Sequence, residues 1–447
     1  MAVDFVVDQT EVQRALDIAL AASKADETEA LMMGSESALT RYTHNYIHES
    51  MVERNWQLSV RAVVGKRSGV ASTNRLDADS IAGVVARALE MARLAPEDQD
   101  FPGLPGDAGP LQDGGDAYDA ATAELPPEAR AEAVASIVRV MRRSELYAAG
   151  FVSSRSDTIA IANSKGVHRF FRFADSAINI KAIGPSSSGY AEGHARRFND
   201  LNPEALAQTA ARKANEGANP EVLEPGKYTV ILEPPAFREF LGYLSWIAFG
   251  AQSLDQGSSF MSGKIGQPVM GANVTIRDDF ANPKGLGVPF DFEGVPRQRI
   301  ALVERGIARD VAYDSYYAAK LKHANTGHAL PAPNSYGPLP LNIVVDPGSR
   351  TLEDMIASVE RGVLVSRTWY IRLVDQKQTV ITGMTRDGLF LIQNGRITRG
   401  LKNMRFNESI VGALNHCELA SELVRSESHV LPAVRIEDFN FTSGTEF

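Results

Sequence analysis

The sequence predicts an α+β protein in which N-terminal α/β modules precede a larger C-terminal domain dominated by antiparallel β-sheet. Two observations predict this fold class. Helical spacing of apolar residues alternates with strand-like period-two spacing in the first half of the chain, and many short strands separated by turns fill the second half. With 447 residues, 44% of them apolar, the chain can bury the cores of two or three soluble domains.

Residues 1–100 form the first predicted module. Apolar residues at helical spacing predict an amphipathic helix over 9–25, and alternating residues over 30–73 predict strands, with GKRSG as a turn. A second helix is expected over 77–94, opened by Asp77 or Asp79, because a carboxylate near the N-terminus suits the helix dipole.

The stretch around 101–126 is crowded with Pro, Gly and Asp and is predicted to be a linker. A middle α+β module should follow over 127–224, with helices over 127–145 and 202–216 and antiparallel strands joined by an NSKG turn. The C-terminal domain, 225–447, is expected to begin with the strand in KYTVILEPP. The apolar stretch FREFLGYLSWIAFGAQ (237–252) then reads as a buried helix.

Composition excludes several function classes. A single cysteine, Cys417, excludes a disulfide framework, and the N-terminus shows no secretory signal, so a cytoplasmic protein is expected. No run of about 18 uncharged apolar residues is present, so a membrane partner is not expected. The net charge of −9 argues against a broad nucleic-acid-binding surface.

Histidine and carboxylate clusters offer only weak metal sites. HNYIHESMVE brings His44, His48, Glu49 and Glu53 together; on a helix the two histidines could ligate zinc. The surrounding alternation favours a strand, on which both histidines would share a face and Glu49 would point to the other. An ordinary sheet surface is the favoured interpretation, and no metal site is predicted.

The other histidines and the cysteine are read as structural unless they lie in a functional loop. His323 and His328 fall in KHANTGHALPAPNS, a Gly/Pro/Asn-rich loop of the kind that contacts ligands. His194 is expected in a solvated turn and His168 on a sheet surface. Cys417 lies in an apolar helical pattern, which predicts a buried, inert thiol.

Several segments, taken in order, resemble the TldD/PmbA family, once called modulators of DNA gyrase. They include LSVRAVVGKRSGVASTNRLD, GYAEGHARRF, GSSFMSGKIG, FDFEGVPRQRIALVERG and ANTGHALPAPNS, and the resemblance spans the whole chain. It implies two N-terminal modules, a metallopeptidase-like C-terminal domain, and paired subunits around a cavity that admits unfolded peptide. In the TldD branch, HExxxH before the GSS turn holds zinc, which lowers the pKa of its bound water.

The zinc motif does not carry over to this chain. Counting back from GSS, the HExxxH positions fall at about Gly242, Tyr243 and Ile247, and no histidine lies between His194 and His323. The C-terminal cysteine of the active branch is also missing from LVRSESHVLP. The chain therefore resembles the PmbA/TldE branch, with no catalytic residue and no cofactor of its own.

The resemblance implies a noncatalytic subunit that binds unfolded peptide and presents it to a zinc-bearing, HExxxH-containing TldD-type partner, or forms a homodimer. Peptide binding is predicted for residues of the Gly- and Ser-rich turn and of the FDFEGVP and TGHALPAP loops: Gly257, Ser258, Ser259, Ser262, Gly263, Glu293, Asn325, Thr326, Gly327 and His328. Two alternatives stay open. One is a stand-alone hydrolase using His323 or His328 with Asp291 or Glu293, and the other is a peptide-binding protein without a proteolytic role.

Overall fold

The computed structural model describes residues 8–445. Its helices are α1 (Gln9–Ala22), α2 (Ala78–Leu94), α3 (Ala120–Ala123), α4 (Pro127–Arg143), α5 (Pro203–Glu216), α6 (Pro234–Ile247), α7 (Ala251–Asp255), α8 (Ser315–Leu321), α9 (Leu352–Ala357) and α10 (Ile410–Asn415). A short 3-10 helix covers Phe198–Asp200.

The strands of the N-terminal half are β1 (Glu27–Thr43), β2 (Tyr46–Val64), β3 (Arg67–Thr73), β4 (Tyr147–Asn163), β5 (His168–Ile183) and β6 (Ser188–Ala195). Those of the C-terminal half are β7 (Gly226–Leu232), β8 (Ile276–Asp278), β9 (Ile300–Glu304), β10 (Ile307–Ala308), β11 (Ile343–Val345), β12 (Arg361–Asp375), β13 (Val380–Gln393), β14 (Arg396–Gly400), β15 (Met404–Ser409), β16 (Cys417–Leu419), β17 (Val424–Ser426), β18 (His429–Leu431) and β19 (Val434–Gly444).

One antiparallel sheet, ordered β3-β2-β1-β4-β5-β6, contains all strands of the N-terminal half. Its central pair, β1 and β4, runs from Glu29↔Asn163 to Tyr42↔Gly150, so strands from both sides of the predicted 101–126 linker share one sheet. Helices α1 and α2 cover one end of a sheet face, and α4 and α5 cover the other end. The opposite face packs Leu31, Ile161 and Val167 against Phe290, which docks the C-terminal domain on the sheet.

The predicted helices and turns of this half are confirmed within a few residues. Asp77 caps α2 by accepting the Ser80 amide at 2.9 Å, and Ser164–Gly166 of NSKG turns β4 into β5. The strand predicted through His44 is wrong at that point. His44 and Asn45 both have positive φ and form a two-residue turn between β1 and β2, because such a turn matches the twist of the paired strands.

The C-terminal domain is built around a sheet that closes on itself. The pairings run β12-β7-β19-β15-β13, and β13 pairs again with β12, while β14 and β16 extend the rim. All these pairs are antiparallel except β7 with β12. Helix α6 packs its apolar face against the interior, where Phe240 lies 5.7 Å from Phe406 between ring centroids. The prediction of an antiparallel β-rich domain is confirmed.

A second, smaller sheet, β10-β9-β8-β11-β18-β17, completes this domain. Helix α9 covers the outer face of the closed sheet, with Met355 against Phe390 and Ile392. Across residues 8–445, no helix has both the length and the apolar character needed to cross a bilayer.

Candidate functional site

Helix α6 has one buried and one exposed face. Glu233 stands at its N-cap, two prolines open its first turn, and Phe237, Phe240, Leu241 and Leu244 are buried. The helix predicted over 237–252 ends early, at Ile247. The chain leaves helical geometry at Ala248 and is extended at Gly250, where a Cβ would collide with the Pro338 carbonyl oxygen, so this close approach requires glycine.

The three HExxxH positions lie in three different environments. Gly242 faces open space, since an added Cβ would meet nothing within 4 Å. Tyr243 is tied down, because its hydroxyl donates to the Ile371 carbonyl at 2.8 Å. Ile247 is only 3% exposed and belongs to the main core.

Zinc does not fit these residues. It needs imidazole, thiolate or carboxylate ligands, and glycine, tyrosine and a buried isoleucine supply none. Among the described residues 8–445, no group of three or more His, Cys, Asp or Glu side chains is arranged to hold a metal ion. No chemical step through zinc is therefore assigned to Gly242, Tyr243 and Ile247.

A pocket of about 220 Å³ opens at the C-terminal end of α6; we call it the helix-end pocket. Its lining mixes apolar and neutral polar side chains: Trp246, Ile247, Gly250, Gln252, Ser253, Gln256, Tyr336, Leu339, Leu373 and Gln376. Gln376 donates from Nε2 to the Ile247 carbonyl at 2.8 Å and to Ser258 Oγ at 3.1 Å. Carboxamides both donate and accept, which matches a peptide main chain.

A larger cavity, about 550 Å³, lies between the first module and the C-terminal domain; we call it the module cleft. Gln252 lines both this cleft and the helix-end pocket, so the cleft and the pocket are neighbours that share this side chain. Its lining includes three charged side chains with little exposure, those of Arg61, Glu293 and Asp314. Burial raises the pKa of Asp314 to about 6, an effect that its hydrogen bond from the Tyr317 amide opposes and nearby Glu293 reinforces.

The four residues of the alternative hydrolase do not meet in one site. His328 is fully buried, with Nε2 3.3 Å from Asp278 Oδ1 and Nδ1 2.9 Å from Thr326 Oγ1. His323 lies outside, stacked on Tyr313 with 4.0 Å between ring centroids.

The two carboxylates of that alternative, Asp291 and Glu293, accept hydrogen bonds from backbone amides. Asp291 accepts the amides of Glu293, Val295 and Ala329 at 2.9 Å each, which fixes the FDFEGVP loop. Of the four residues only Glu293 lines the module cleft. This geometry gives no support to a stand-alone hydrolase.

The predicted peptide-binding residues fall into two groups. In the first, Gly257 and Gly263 have positive φ with open space around them, and Ser258 and Ser262 are half-buried. Ser259 is buried and donates to the Ala248 carbonyl at 2.8 Å, so it anchors this turn to the end of α6.

The second group surrounds Ser315 at the start of α8. Glu293 Oε2 accepts the Ser315 amide at 3.2 Å, and Asn325 Nδ2 donates to Ser315 Oγ at 3.0 Å. Thr326 and His328 are buried beneath this loop, and Gly327 packs closely on Pro296. Peptide contact by either group stays a prediction.

The structure agrees with the predicted position of His168 but not with those of His194 and Cys417. His168 begins β5 on the surface, as predicted. His194 was expected in a solvated turn, but it lies in edge strand β6, half-buried, where burial lowers its pKa. Cys417, predicted to be buried in a helix, is half-buried and starts strand β16, because α10 ends at Asn415; its partial burial raises the pKa of its thiol to about 11.

Sequence reasoning missed an arginine–aromatic surface on β12 and β13, defined by Arg367, Trp369, Tyr370, Arg372 and Arg386. Trp369 and Tyr370 are 44% and 57% exposed although they are consecutive in a strand. A bulge between Trp369 and Arg372, with φ of 55° at Tyr370, turns both rings outward. The adjacent aromatic residues in TWYIR were the available signal.

Comparison with known proteins matches three family models in order along the chain. Residues 29–92 match PmbA/TldA metallopeptidase domain 1, residues 117–217 the central domain, and residues 225–443 the C-terminal domain.

Two relatives and one solved structure illustrate the similarity. Metalloprotease PmbA of Escherichia coli O157:H7 is 25% identical over 467 residues, covering 96% of this chain and 98% of that protein. An uncharacterized protein of Methanocaldococcus jannaschii is 29% identical over 224 residues, covering 49% of this chain and about half, 53%, of that protein. The crystal structure of TldE from Thermococcus kodakarensis matches with a TM-score of 0.86 at 20% identity, covering 97% of this chain and 100% of that one.

Proposed function

The chain belongs to the PmbA/TldD metallopeptidase family, and from that membership we propose that it is a noncatalytic subunit of a two-component zinc metallopeptidase. It binds unfolded peptide and presents it to a cytoplasmic TldD-type partner that carries HExxxH. The zinc and its activated water belong to that partner.

One observation carries the proposal. Helix α6, which the resemblance aligns with the HExxxH helix, contacts β12 and presents Gly242, Tyr243 and Ile247, and the last of these is packed in the core. Restoring a ligand there would require an imidazole to enter an apolar core, which is costly for a polar group. The exposed face of α6 therefore serves peptide binding, and hydrolysis of the peptide needs a second subunit.

The helix-end pocket supports the peptide-handling part of the proposal. Three carboxamides, Gln252, Gln256 and Gln376, stand among the apolar side chains of Trp246, Leu339 and Leu373. Apolar walls with a few neutral donors and acceptors suit an extended peptide, whose main chain offers amides and carbonyls in alternation. No charge is needed for such contacts, so many sequences can be accepted.

The test combines metal analysis with reconstitution. The purified chain, dialysed after exposure to zinc, is assayed for metal and for hydrolysis of a fluorogenic unstructured peptide, alone and mixed with an HExxxH-bearing TldD-type subunit. We expect zinc well below one per chain, no hydrolysis by the chain alone, and faster hydrolysis in the mixture than by the partner alone. Stoichiometric zinc together with hydrolysis by the chain alone would overturn the proposal.

A matched control uses a partner whose HExxxH glutamate is changed to glutamine. The mixed complex should still form on a sizing column but should lose hydrolysis, which assigns the chemistry to the partner. A chain that stays apart from the partner and still binds peptide would instead favour a peptide-binding protein without a proteolytic role.

A further inference from the structure

We infer that the arginine–aromatic surface on β12 and β13 is a binding site for carboxylate groups, and that the peptides handled by this chain carry acidic side chains or a free C-terminus. The inference rests on the proposed peptide-handling function and adds to it the chemical class of the ligand. The evidence for it is the placement of arginine side chains on the paired strands β12 and β13.

Two arginines face each other directly across these strands. Arg367 and Arg386 are cross-strand partners in the antiparallel β12–β13 pair. Like charges in this position repel each other and destabilise a sheet. Both guanidinium groups also lie over the Trp369 ring, at 5.5 and 5.0 Å from its centroid, which concentrates two positive charges at one exposed indole.

The chain supplies too few carboxylates to neutralise this surface. Among residues 8–445, the only carboxylate within 4.0 Å of Arg367 is that of Asp387, at 3.4 Å, and this buried carboxylate also pairs with Lys181 at 2.7 Å. Arg386 and Arg372 have no carboxylate within 4.0 Å anywhere in residues 8–445. Arg238 of α6 is already paired with Glu239 and Glu427.

Arg372 extends the surface toward the exposed face of α6. Its guanidinium stacks on Tyr370 at 4.1 Å from the ring centroid and interacts with Tyr243, whose ring lies 5.9 Å from that of Trp246. Trp246 in turn lines the helix-end pocket. A peptide seated in that pocket can therefore reach Arg372, which lacks a carboxylate partner within residues 8–445, along the rings of Trp246 and Tyr243.

The backbone is adapted to this arrangement. A bulky residue with positive φ, as at Tyr370, is strained, and such strain collects at sites that bind ligands. Without the bulge, Trp369 and Tyr370 would point to opposite faces of the sheet. The guanidinium fork matches a carboxylate in two parallel hydrogen bonds, and the aromatic rings hold the forks in place.

The test measures anisotropy of short fluorescein-labelled Gly/Ser/Ala peptides in four versions. The peptides carry either Asp and Glu or the corresponding amides, combined with either a free or an amidated C-terminus. Each is titrated with the wild-type chain, with Arg386→Gln and with Arg372→Gln. Arg396→Gln is the matched control, because Arg396 is an exposed arginine of β14 that also lacks an ion pair to a carboxylate within residues 8–445.

We expect at least one carboxylate-bearing version to bind about tenfold more tightly than the fully amidated peptide, with the preference lost in Arg386→Gln and kept in Arg396→Gln. Which version binds distinguishes acidic side chains from the peptide terminus. Added salt should weaken the preference.

Equal binding of all four peptides would overturn this inference and leave peptide handling intact. Absence of binding by all four, with or without the partner subunit, would overturn both. Tighter binding of an oligothymidine than of any peptide would also overturn it, because the arginines would then recognise phosphate. Circular dichroism and thermal melting of each variant separate misfolding from lost binding.

Discussion

Arg61 of the first module lies 3.2 Å from Glu293 of the C-terminal domain, measured between Nη2 and Oε1, and the same Nη2 lies 2.8 Å from Glu29 Oε2. The three side chains are at most 11% exposed. Glu293 also holds the Ser315 amide at the start of α8. One guanidinium therefore joins the two walls of the module cleft.

Replacing Arg61 with methionine should destabilise the chain by about 3–5 kcal/mol, because two buried carboxylates lose their counter-charge. Guanidinium chloride unfolding measures the change in free energy. Arg67→Met is the matched control: its ion pair with Glu97 is 41% and 51% exposed, so its loss should cost no more than about 1 kcal/mol. Equal effects of the two substitutions would mean that Arg61 does not link the modules.

The raised pKa of Asp314 predicts that its contribution to the folding stability falls as pH rises. Burial, reinforced by Glu293, raises its pKa to about 6, above about 3.9 in the unfolded chain, so the folded state binds the extra proton between these values. Asp314→Asn removes this titration and keeps the α8 cap, because asparagine caps equally well.

Relative to the wild type, the Asp314→Asn chain should therefore gain about 2 kcal/mol between pH 4 and pH 7. Urea unfolding at both pH values measures this difference. Arg61 and Glu293 face Asp314 in the cleft and stay unchanged in the comparison. A difference between the two chains that does not vary with pH would show that Asp314 titrates normally.

The environment of Asp278 predicts the opposite pH dependence, a folding stability that rises with pH. Burial alone would raise its pKa, but the neighbouring His328, Arg297 and the Asn342 amide bring it down to about 2. This carboxylate stabilises the fold above about pH 4, and that contribution, about 2–3 kcal/mol, is lost as pH falls toward 2.

The Asp278→Asn chain should be less stable than wild type at neutral pH, and the gap should close in acid. Acid titration followed by near-ultraviolet circular dichroism tests this, with Asp98→Asn as an exposed control on the N-terminal module. A gap that persists unchanged to about pH 2 would rule out an ionised, paired Asp278.

Local elements could be read from the sequence because their causes are local. Asp77 as a cap, the apolar stripe of α2 and the NSKG turn each depend on residues a few positions apart. The sharing of one sheet by β1 and β4, and the closure of β12 onto β13 and β7, depend on partners far away in sequence. Periodicity identifies a strand but not the strand it pairs with.

The candidate site likewise has features that the sequence reveals and features that depend on the folded structure. The mismatch with HExxxH is a matter of residue identity, so it can be read directly from Gly242, Tyr243 and Ile247. The loop composition around His328 predicts contact with a peptide or other ligand, but the His328 imidazole itself is buried against Asp278. Exposure of Trp369 depends on a bulge, which the sequence pattern does not reveal.

Gly242 and Ile247, two of the positions that the resemblance aligns with HExxxH, should respond in opposite directions to substitution. Gly242→Ala should stabilise the chain by about 0.5–1 kcal/mol, because an added methyl group meets nothing and alanine favours a helix interior. Ile247→His should cost about 3 kcal/mol or more, since it buries a polar ring in the core. Thermal unfolding compares the two, and a stable Ile247→His chain that binds zinc would contradict the proposed loss of the metal site.

Trp246→Ala should weaken peptide binding with little effect on the fold. The indole is 48% exposed, lines the helix-end pocket and packs on Tyr243, so its removal takes away contact surface for a ligand rather than core volume. We expect the affinity for an unstructured peptide to fall at least about tenfold, as for an aromatic anchor, with a stability change below about 1 kcal/mol. Leu94→Ala, which removes an 81% exposed apolar side chain on α2, is the matched control. Equal affinities of the two variants, measured by fluorescence anisotropy, would place peptide binding away from the end of α6.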